Sequence, residues 1–323
     1  MTYKALVVEE IDKKFIKSLK ELPLEDLDKN DILIKVSYSA LNYKDALSAN
    51  GNKGVTRNYP HTPGIDAAGV VKRSNSKDFK EGDKVIVTSY DLGMNTPGSF
   101  SEYISVPKEW VIPLPKNLSQ KEAIAIGTAG LTSAIGVEKL IKNSLQPIEK
   151  ILVTGASGGV GSFSVKLLSH LGFEVTAFSR SKDNYEFLKT IGATEVISEI
   201  ETDENKPLLK PKFDAVFDVV GGKIAQELLK QIKKEGSMAI CGLVDSYRLD
   251  TTVFPFILRG INLLGVDSAQ YPYKNRVELW QKLANEWKMD ISDLIDEKSF
   301  DLLPRLLDDM LKGETRGRVI IKI

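Results

Sequence analysis

The stretch Ile151–Ser162, ILVTGASGGVGS, constrains the fold more than any other part of this chain. Four apolar or β-branched residues run straight into a glycine cluster, and FSVKLLSHLG follows with apolar residues at helical spacing, which reads as strand, turn and helix. Gly155, Gly158 and Gly161 give the spacing G-x-x-G-x-x-G. A turn that brings backbone to a pyrophosphate, and a helix close to a strand, favours the residue without a Cβ. The helix then aims its first unpaired N–H groups at the phosphates, here from Ser157, Gly158, Gly159 and Val160. No Gly-Lys-Ser/Thr closes the turn, so it is not a Walker A loop.

The end of the next strand speaks to the cofactor. A site for NAD(H) usually places an acid about twenty residues past the glycines, where it accepts from the ribose 2′-hydroxyl. Phe178 is followed instead by Ser179, Arg180, Ser181 and Lys182. A carboxylate would repel a 2′-phosphate, whereas Arg offers it a planar fork and Lys a point charge. The reading is NADP(H). Two further strand ends, FDVVGG with Val219 and CGLVDS with Gly242 and Leu243, suit close approach of ribose and nicotinamide.

These pieces sit in a regular alternation. KILVTG, EVTAFSR, FDAVFDVV, SMAICGL and INLLGVD read as strands; SFSVKLLSHLG, NYEFLKTIGA and KIAQELLKQIKKEG read as helices between them. The pattern predicts an α/β, doubly wound parallel sheet. Before it lie short strands parted by Gly, Asn, Pro and Asp: KALVVEE, DILIKVSYSAL, AAGVVKRS, DKVIVTSY and SEYISVP. Ser119 is placed to cap a helix with Glu122 three residues on. The tail carries a helix, YPYKNRVELWQKLANEW, and a last strand, GRVIIKI. The expected division is a β-rich catalytic domain over 1–122 and 268–323, with a nucleotide domain over 123–267 between its parts.

Composition narrows the function classes. Over 323 residues Lys+Arg and Asp+Glu both number 44, so no global field attracts nucleic acid or an anionic membrane. No run approaches the ~18 uninterrupted apolar residues of a membrane span, and MTYKALVVEEIDKK is not a signal peptide. The lone Cys241 forms no intrachain disulfide, which predicts a cytoplasmic protein. With Cys241, His61 and His170 as the whole Cys/His inventory, a four-ligand structural zinc site is excluded, and no metal site is expected. His61 in a proline-rich turn, His170 and Cys241 read as structural.

LNYKDAL, PGIDAAG, AIGTAGLTSA and PFILRGINLLGVDS, with the GASGGVG turn, resemble the medium-chain dehydrogenase/reductase superfamily, in its zinc-free quinone oxidoreductase branch of the YhdH/YhfP, acrylyl-CoA reductase-like type. The resemblance covers essentially the whole chain and implies that the β-rich domain is GroES-like and the nucleotide domain Rossmann. Zinc-dependent relatives carry Cys-x-x-Asp and Gly-His-Glu; here Asn42 stands for the cysteine and Ile65 for the histidine. The resemblance implies hydride transfer from NADPH to the activated C=C of an enone or enoyl-CoA, or to a quinone, with a homodimer paired through INLLGVDSAQ. A cofactor-binding sensor or structural protein without turnover is the alternative from another class.

By the same resemblance Tyr43 is the first candidate proton donor, or else a residue that packs on or hydrogen-bonds the cofactor. Lys44 and Asp45 are adjacent polar candidates or a structural pair. Thr128 bonds the nicotinamide amide or caps a helix. Arg318 reaches cofactor or substrate phosphate.

Overall fold

The alternation after residue 149 folds as a parallel sheet. The computed structural model, which describes residues 1–27, 30–143, 145–146 and 148–323, divides into two units. One comprises Ala129–Ser268 and Glu286–Leu294; the other comprises Met1–Thr128, Ala269–Asn285 and Ile295–Ile323.

The first of these holds a six-stranded sheet in the order Glu195–Ile197, Glu174–Phe178, Lys150–Val153, Phe213–Asp218, Ile232–Ile240, Asn262–Gly265. Every pairing is parallel. Counted along the chain, that order is 3-2-1-4-5-6, the doubly wound arrangement whose direction reverses between its first and fourth strands. Leu152, Phe178, Phe213, Val216, Leu228, Ile232 and Met238 pack into one buried cluster. Each such side chain contributes about 1.5–3 kcal/mol by leaving water.

The helix expected over KIAQELLKQIKKEG stops early, and Gly222–Leu229 alone is helical. Ile232 begins the next strand, because its side chain completes the buried cluster and its backbone pairs with Phe213. Lys233, Lys234 and Glu235, which look helical in sequence, ride that strand with their polar ends outward. The three-residue strand Glu195–Ile197 was too short to be seen as a pattern.

The second unit pairs strands antiparallel, apart from one parallel pair at its edge. Its seven-stranded sheet runs Ile295–Ser299, Arg318–Lys322, Ile32–Ala40, Asp66–Ser74, Lys84–Thr88, Val111–Pro113, with Tyr103–Val106 also on Ile32–Ala40. A hairpin of Thr2–Ile11 and Lys14–Pro23 turns on Asp12 and Lys13, both at positive φ. Its second strand, KFIKSLKELP, is rich in lysine and had given no strand signal.

The helical stretch Gln120–Lys142 begins as expected. Ser119 N–H donates to Glu122 Oε2 at 2.8 Å and Glu122 N–H to Ser119 Oγ at 3.1 Å. At Gly127 the backbone leaves the helix, with φ 49° and ψ −157°. Length and composition alone would let this helix cross a membrane, but 78% of its most apolar segment is buried inside the protein, as in a core helix.

Candidate active site

Strand register in the second unit brings three chain segments to one point. Ile320 pairs with Ala40, and Ser39 pairs with Ala67. The end of one strand, with Asn42 just beyond it, thus lies beside Asp66 and Arg318, which begin the other two. All three side chains are buried. Asn42 Nδ2 donates to Asp66 Oδ2 at 2.9 Å, and Arg318 Nη1 donates to Asn42 Oδ1 at 3.3 Å. Arg318 Nε donates to the Ala125 carbonyl at 2.7 Å, and its Nη2 stands 3.8 Å from Asp66 Oδ2. The Ser39 and Ser99 hydroxyls hold the Asp66 carbonyl at 2.8 and 2.6 Å.

Gly127 closes this cluster. A Cβ there would lie 2.5 Å from Asp66 Oδ2 and 2.8 Å from Arg318 Nη2, so only glycine lets the chain pass over the ion pair. The next residue, half-buried Thr128, donates its N–H to both Asp66 oxygens at 3.1 and 2.9 Å. Its hydroxyl lies 2.5 Å from Asp66 Oδ1 and 2.7 Å from Ser89 Oγ. Thr128 is therefore tied down by a carboxylate while only half-buried.

Two expectations are corrected here. Arg318 does not reach outward for a phosphate: it is 2% exposed, and its guanidinium is held among Asp66, Asn42 and Ala125. Asp45 is fully buried and does not present a carboxylate to a substrate. Its Oδ2 accepts the Asn42 N–H at 2.8 Å and its Oδ1 the Ile65 N–H at 3.0 Å, so it fixes the loops on either side of the cluster. Burial, then the Asp66 charge, push the Asp45 carboxyl up to about 7. Burial also raises Asp66, against the pull of Arg318, Thr128 and Asn42. Tyr43, the first residue of the helix Tyr43–Ala49, is 39% exposed beside buried Asn42. His61 is buried, with Nε2 2.9 Å from the Gly93 carbonyl, a structural contact.

In the other unit the glycine turn joins Lys150–Val153 to the helix Gly159–His170 at the sheet's reversal point. Gly155 has φ 53°, and a Cβ on Gly161 would lie 2.2 Å from the Gly155 carbonyl oxygen. Ser157, Gly158, Gly159 and Val160 are all half-buried, with the helix N-terminus among them. The Gly158 N–H donates to the Gly155 carbonyl at 3.0 Å and closes the turn, so Ser157, Gly159 and Val160 are the residues whose N–H groups fit a pyrophosphate. Val219 packs over Gly155, where a Cβ would stand 2.5 Å from its Cγ2. Thr154 Oγ1 donates to Asp218 at 2.7 Å and accepts the Val219 N–H at 3.0 Å, locking the two strand ends together. The Cys241 N–H donates to the Asp218 carbonyl, which brings Gly242 and exposed Leu243 alongside.

Past the second strand the four expected residues part company. Arg180, Ser181 and Lys182 are exposed, and neither cation has an ion-pair partner among the described residues. Ser179 is buried and serves the loop instead, donating to the Ser181 carbonyl at 3.1 Å. The first acid, Asp183, turns back so that its N–H donates to Ser181 Oγ at 3.3 Å.

Residues 28–116 match the alcohol dehydrogenase GroES-like domain, and residues 159–285 match the zinc-binding dehydrogenase family. YhfP of Bacillus subtilis, provisionally a quinone oxidoreductase by name, is 44% identical over 94% of this chain and 94% of its own. The acrylyl-CoA reductase AcuI of Ruegeria pomeroyi is 38% identical over 99% of both chains. The yhdH oxidoreductase of Salmonella enterica, solved with NADP, superposes with a TM-score of 0.94 at 36% identity over 99% of both chains. YhfP, solved with NAD, superposes at 0.96 with 41% identity over the full length of both.

The chain belongs to the medium-chain dehydrogenase/reductase superfamily, with YhfP and AcuI among its relatives.

For this dehydrogenase/reductase the sequence reading missed the centre of the polar cluster. Asn42 and Asp66 had been noticed only as parts of the segments that lack zinc ligands, and Gly127 not at all. The signal was an acid, Asp66, between Ile65 and Ala67 in an otherwise apolar strand start, where a carboxylate needs paired donors to be buried.

Proposed function

We propose that this dehydrogenase/reductase is an NADPH-dependent, zinc-independent reductase of the activated C=C bond of α,β-unsaturated carbonyl compounds, with short enoyl-CoA thioesters such as acrylyl-CoA as substrates. The observation that carries the reading is the donor set of the Asn42–Asp66–Arg318 cluster. Asn42 bonds both Asp66 and Arg318, and by the resemblance Asn42 and Ile65 stand where zinc-dependent relatives carry ligands. Among the described residues no group of His, Cys, Asp and Glu could hold a metal ion to polarise an alcohol oxygen, so an already activated double bond is the acceptor these side chains suit better.

When bound, NADPH supplies the hydride that adds to the β-carbon. In this reading the N–H groups of Ser157, Gly159 and Val160 hold the pyrophosphate while Gly158 keeps the turn closed, Arg180 and Lys182 hold the 2′-phosphate, and Val219, Gly242 and Leu243 line the ribose and nicotinamide. Thr128 holds the carboxamide. Tyr43, exposed at the start of its helix, delivers a proton to the α-carbon from its hydroxyl. For Tyr43→Phe we expect kcat to fall about 10²-fold at saturating substrate with NADPH affinity kept; an unchanged kcat assigns Tyr43 to packing alone.

The test is NADPH oxidation with acrylyl-CoA or crotonyl-CoA beside a benzoquinone, with NADH as control. Turnover of the thioester with NADPH is the expected result. Turnover of the quinone alone would favour the second reading, NADPH:quinone oxidoreduction, to which the name of YhfP lends weight. Tight NADPH binding without turnover of any acceptor would point to a sensor.

The reading extends to a cytoplasmic homodimer. Asn262–Gly265 is an edge strand with Leu263 exposed, and the neighbouring helix Phe254–Arg259 exposes Ile257 and Leu258. Unpaired strand edges beside exposed apolar residues are covered by association. Light scattering at micromolar concentration should give twice the 35.8 kDa chain mass, and a monomer would remove the dimer.

A further inference from the structure

We infer that Thr154 and Asp218 are positioning residues for the nicotinamide half of the cofactor: together they draw the Val219 and Gly221 N–H groups inward, so that this loop is formed before the cofactor arrives and turns neither group towards it. The inference rests on the proposed reading, in which Val219, Gly242 and Leu243 line the nicotinamide and its ribose.

Both side chains are fully buried at the ends of neighbouring parallel strands, inside the unit that holds Ala129–Ser268. Thr154 follows Lys150–Val153, and its N–H donates to the Phe217 carbonyl at 3.0 Å. The Val219 N–H donates to Thr154 Oγ1 at 3.0 Å, and the Gly221 N–H to Asp218 Oδ2 at 2.7 Å. The other carboxyl oxygen, Oδ1, lies 2.7 Å from Thr154 Oγ1 and joins the two acceptors into one unit. Burial raises the Asp218 carboxyl, against the pull of Thr154, Gly221 and Val220. The fate of the two N–H groups does not turn on that proton. A hydroxyl oxygen has two lone pairs, and Oδ2 accepts in the neutral acid as in the carboxylate. Thr154 therefore takes the Val219 N–H, and Asp218 that of Gly221, in either state.

The loop is also clamped from its sides. A Cβ on Gly155 would lie 2.5 Å from Val219 Cγ2, and one on Gly242 would lie 1.9 Å from the Val219 carbonyl carbon. The Cys241 N–H holds the Asp218 carbonyl at 3.0 Å, and the Asp245 N–H holds that of Val220 at 3.0 Å. Val219 and Val220 are half-buried, so a ligand can reach them. Two neighbouring loops at the sheet's reversal point thus differ in polarity. Ser157, Gly159 and Val160 have N–H groups that suit a phosphate, whereas those of Val219 and Gly221 are used within the protein. A phosphate is drawn to the first loop, and the second is left for the ribose and nicotinamide.

The test measures binding of NADP+ and of adenosine 2′,5′-bisphosphate, which lacks the nicotinamide half, to the full chain by calorimetric titration. The wild type should bind NADP+ the more tightly. Thr154→Val puts a methyl group in place of the hydroxyl and strands the Val219 N–H. It should weaken NADP+ about 10-fold and the bisphosphate by less than about 2-fold. Thr154→Ser keeps the hydroxyl and should bind both as the wild type does. Equal loss for both ligands, or no loss for NADP+, in folded Thr154→Val overturns the inference.

Amide hydrogen exchange in the wild type tests the same point without a variant, should Thr154→Val fail to fold. Val219 and Gly221 should exchange slowly before any cofactor is added, while Ser157, Gly159 and Val160 gain their protection from NADP+. Fast exchange at Val219 and Gly221 that slows only with NADP+ would mean that the cofactor shapes the loop, and would overturn the inference. A wild type that binds neither ligand, or binds NADP+ no more tightly than the bisphosphate, would overturn the reading beneath instead.

Discussion

The two polar centres of this oxidoreductase are built on opposite principles. Around Asp66 the groups are charged and amide side chains drawn from segments far apart in sequence and buried together, with Arg318 Nη2 facing Asp66 at 3.8 Å and making no hydrogen bond. Around Gly155 the turn is built by backbone within a dozen residues, and the cations proposed for the 2′-phosphate, Arg180 and Lys182, stay exposed. A buried charge cluster is stabilised only while every member is present, because each unpaired charge in a dry interior costs several kcal/mol. A backbone turn with exposed cations loses its parts singly and gently. Substitutions should therefore act on folding in the first centre and on binding in the second.

The largest effect is expected at Arg318. Replacing it with Met keeps much of the volume but leaves Asp66, and beyond it Asp45, without the nearby cation. Breaking a buried pair from one side costs about 3–5 kcal/mol. Urea denaturation of Arg318→Met should show that loss. A loss below about 1 kcal/mol would mean that the cluster behaves as a surface ion pair and would erase the contrast.

Next comes Asp45. Its carboxyl sits at about 7 in the folded chain against a usual 3.8, raised first by burial and then by Asp66. The folded state thus holds the proton more tightly than the unfolded chain between those values. Stability from this group is fully present below about pH 4 and is lost as pH rises through about 7. Relative to Asp45→Asn, which cannot titrate, the wild type should lose on the order of 3 kcal/mol between pH 5 and pH 8. Parallel curves for the two proteins would show Asp45 ionised throughout, held by the Asn42 and Ile65 N–H groups, and would make the cluster more charged than described.

The same contrast explains what could be read from the sequence. The doubly wound sheet was legible because each strand, turn and helix announces itself within about ten residues, and the glycine spacing marks the reversal point directly. The Asp66 cluster was not, because Asn42, Asp66, Thr128 and Arg318 meet only through the register of three strands. Arg318 and Asp45 were noticed as polar residues in the right segments, but sequence carries no sign of which way such a side chain faces. Ser179 misled for the converse reason: it lies in a run of loop-like polar residues, and only the return of Ser181 and Asn184 shows it turned inward. The helix drawn through Lys233–Gly236 failed because Ile232 had a core to complete, and burial overrode local propensity.

The smallest effect, and the one that tests the second centre, belongs to Arg180. It is exposed and unpaired among the described residues, so its removal leaves no buried charge behind and should not change stability measurably. What it should change is cofactor choice. A guanidinium bonds a phosphate through a charge-assisted fork worth about 1.5 kcal/mol in a solvent-exposed place, or roughly 10-fold in affinity. Arg180→Ala should therefore weaken NADPH by about that factor while leaving NADH as it was. Lys182→Ala, removing a hydrated point charge, should cost NADPH only about 3-fold. Both losses should shrink with added salt, since exposed charges are screened over about 8–10 Å. Equal weakening of NADPH and NADH by Arg180→Ala would mean that the arginine holds a group common to both cofactors, and that the choice between them is made by the loop that Ser179 and Asp183 fold from within.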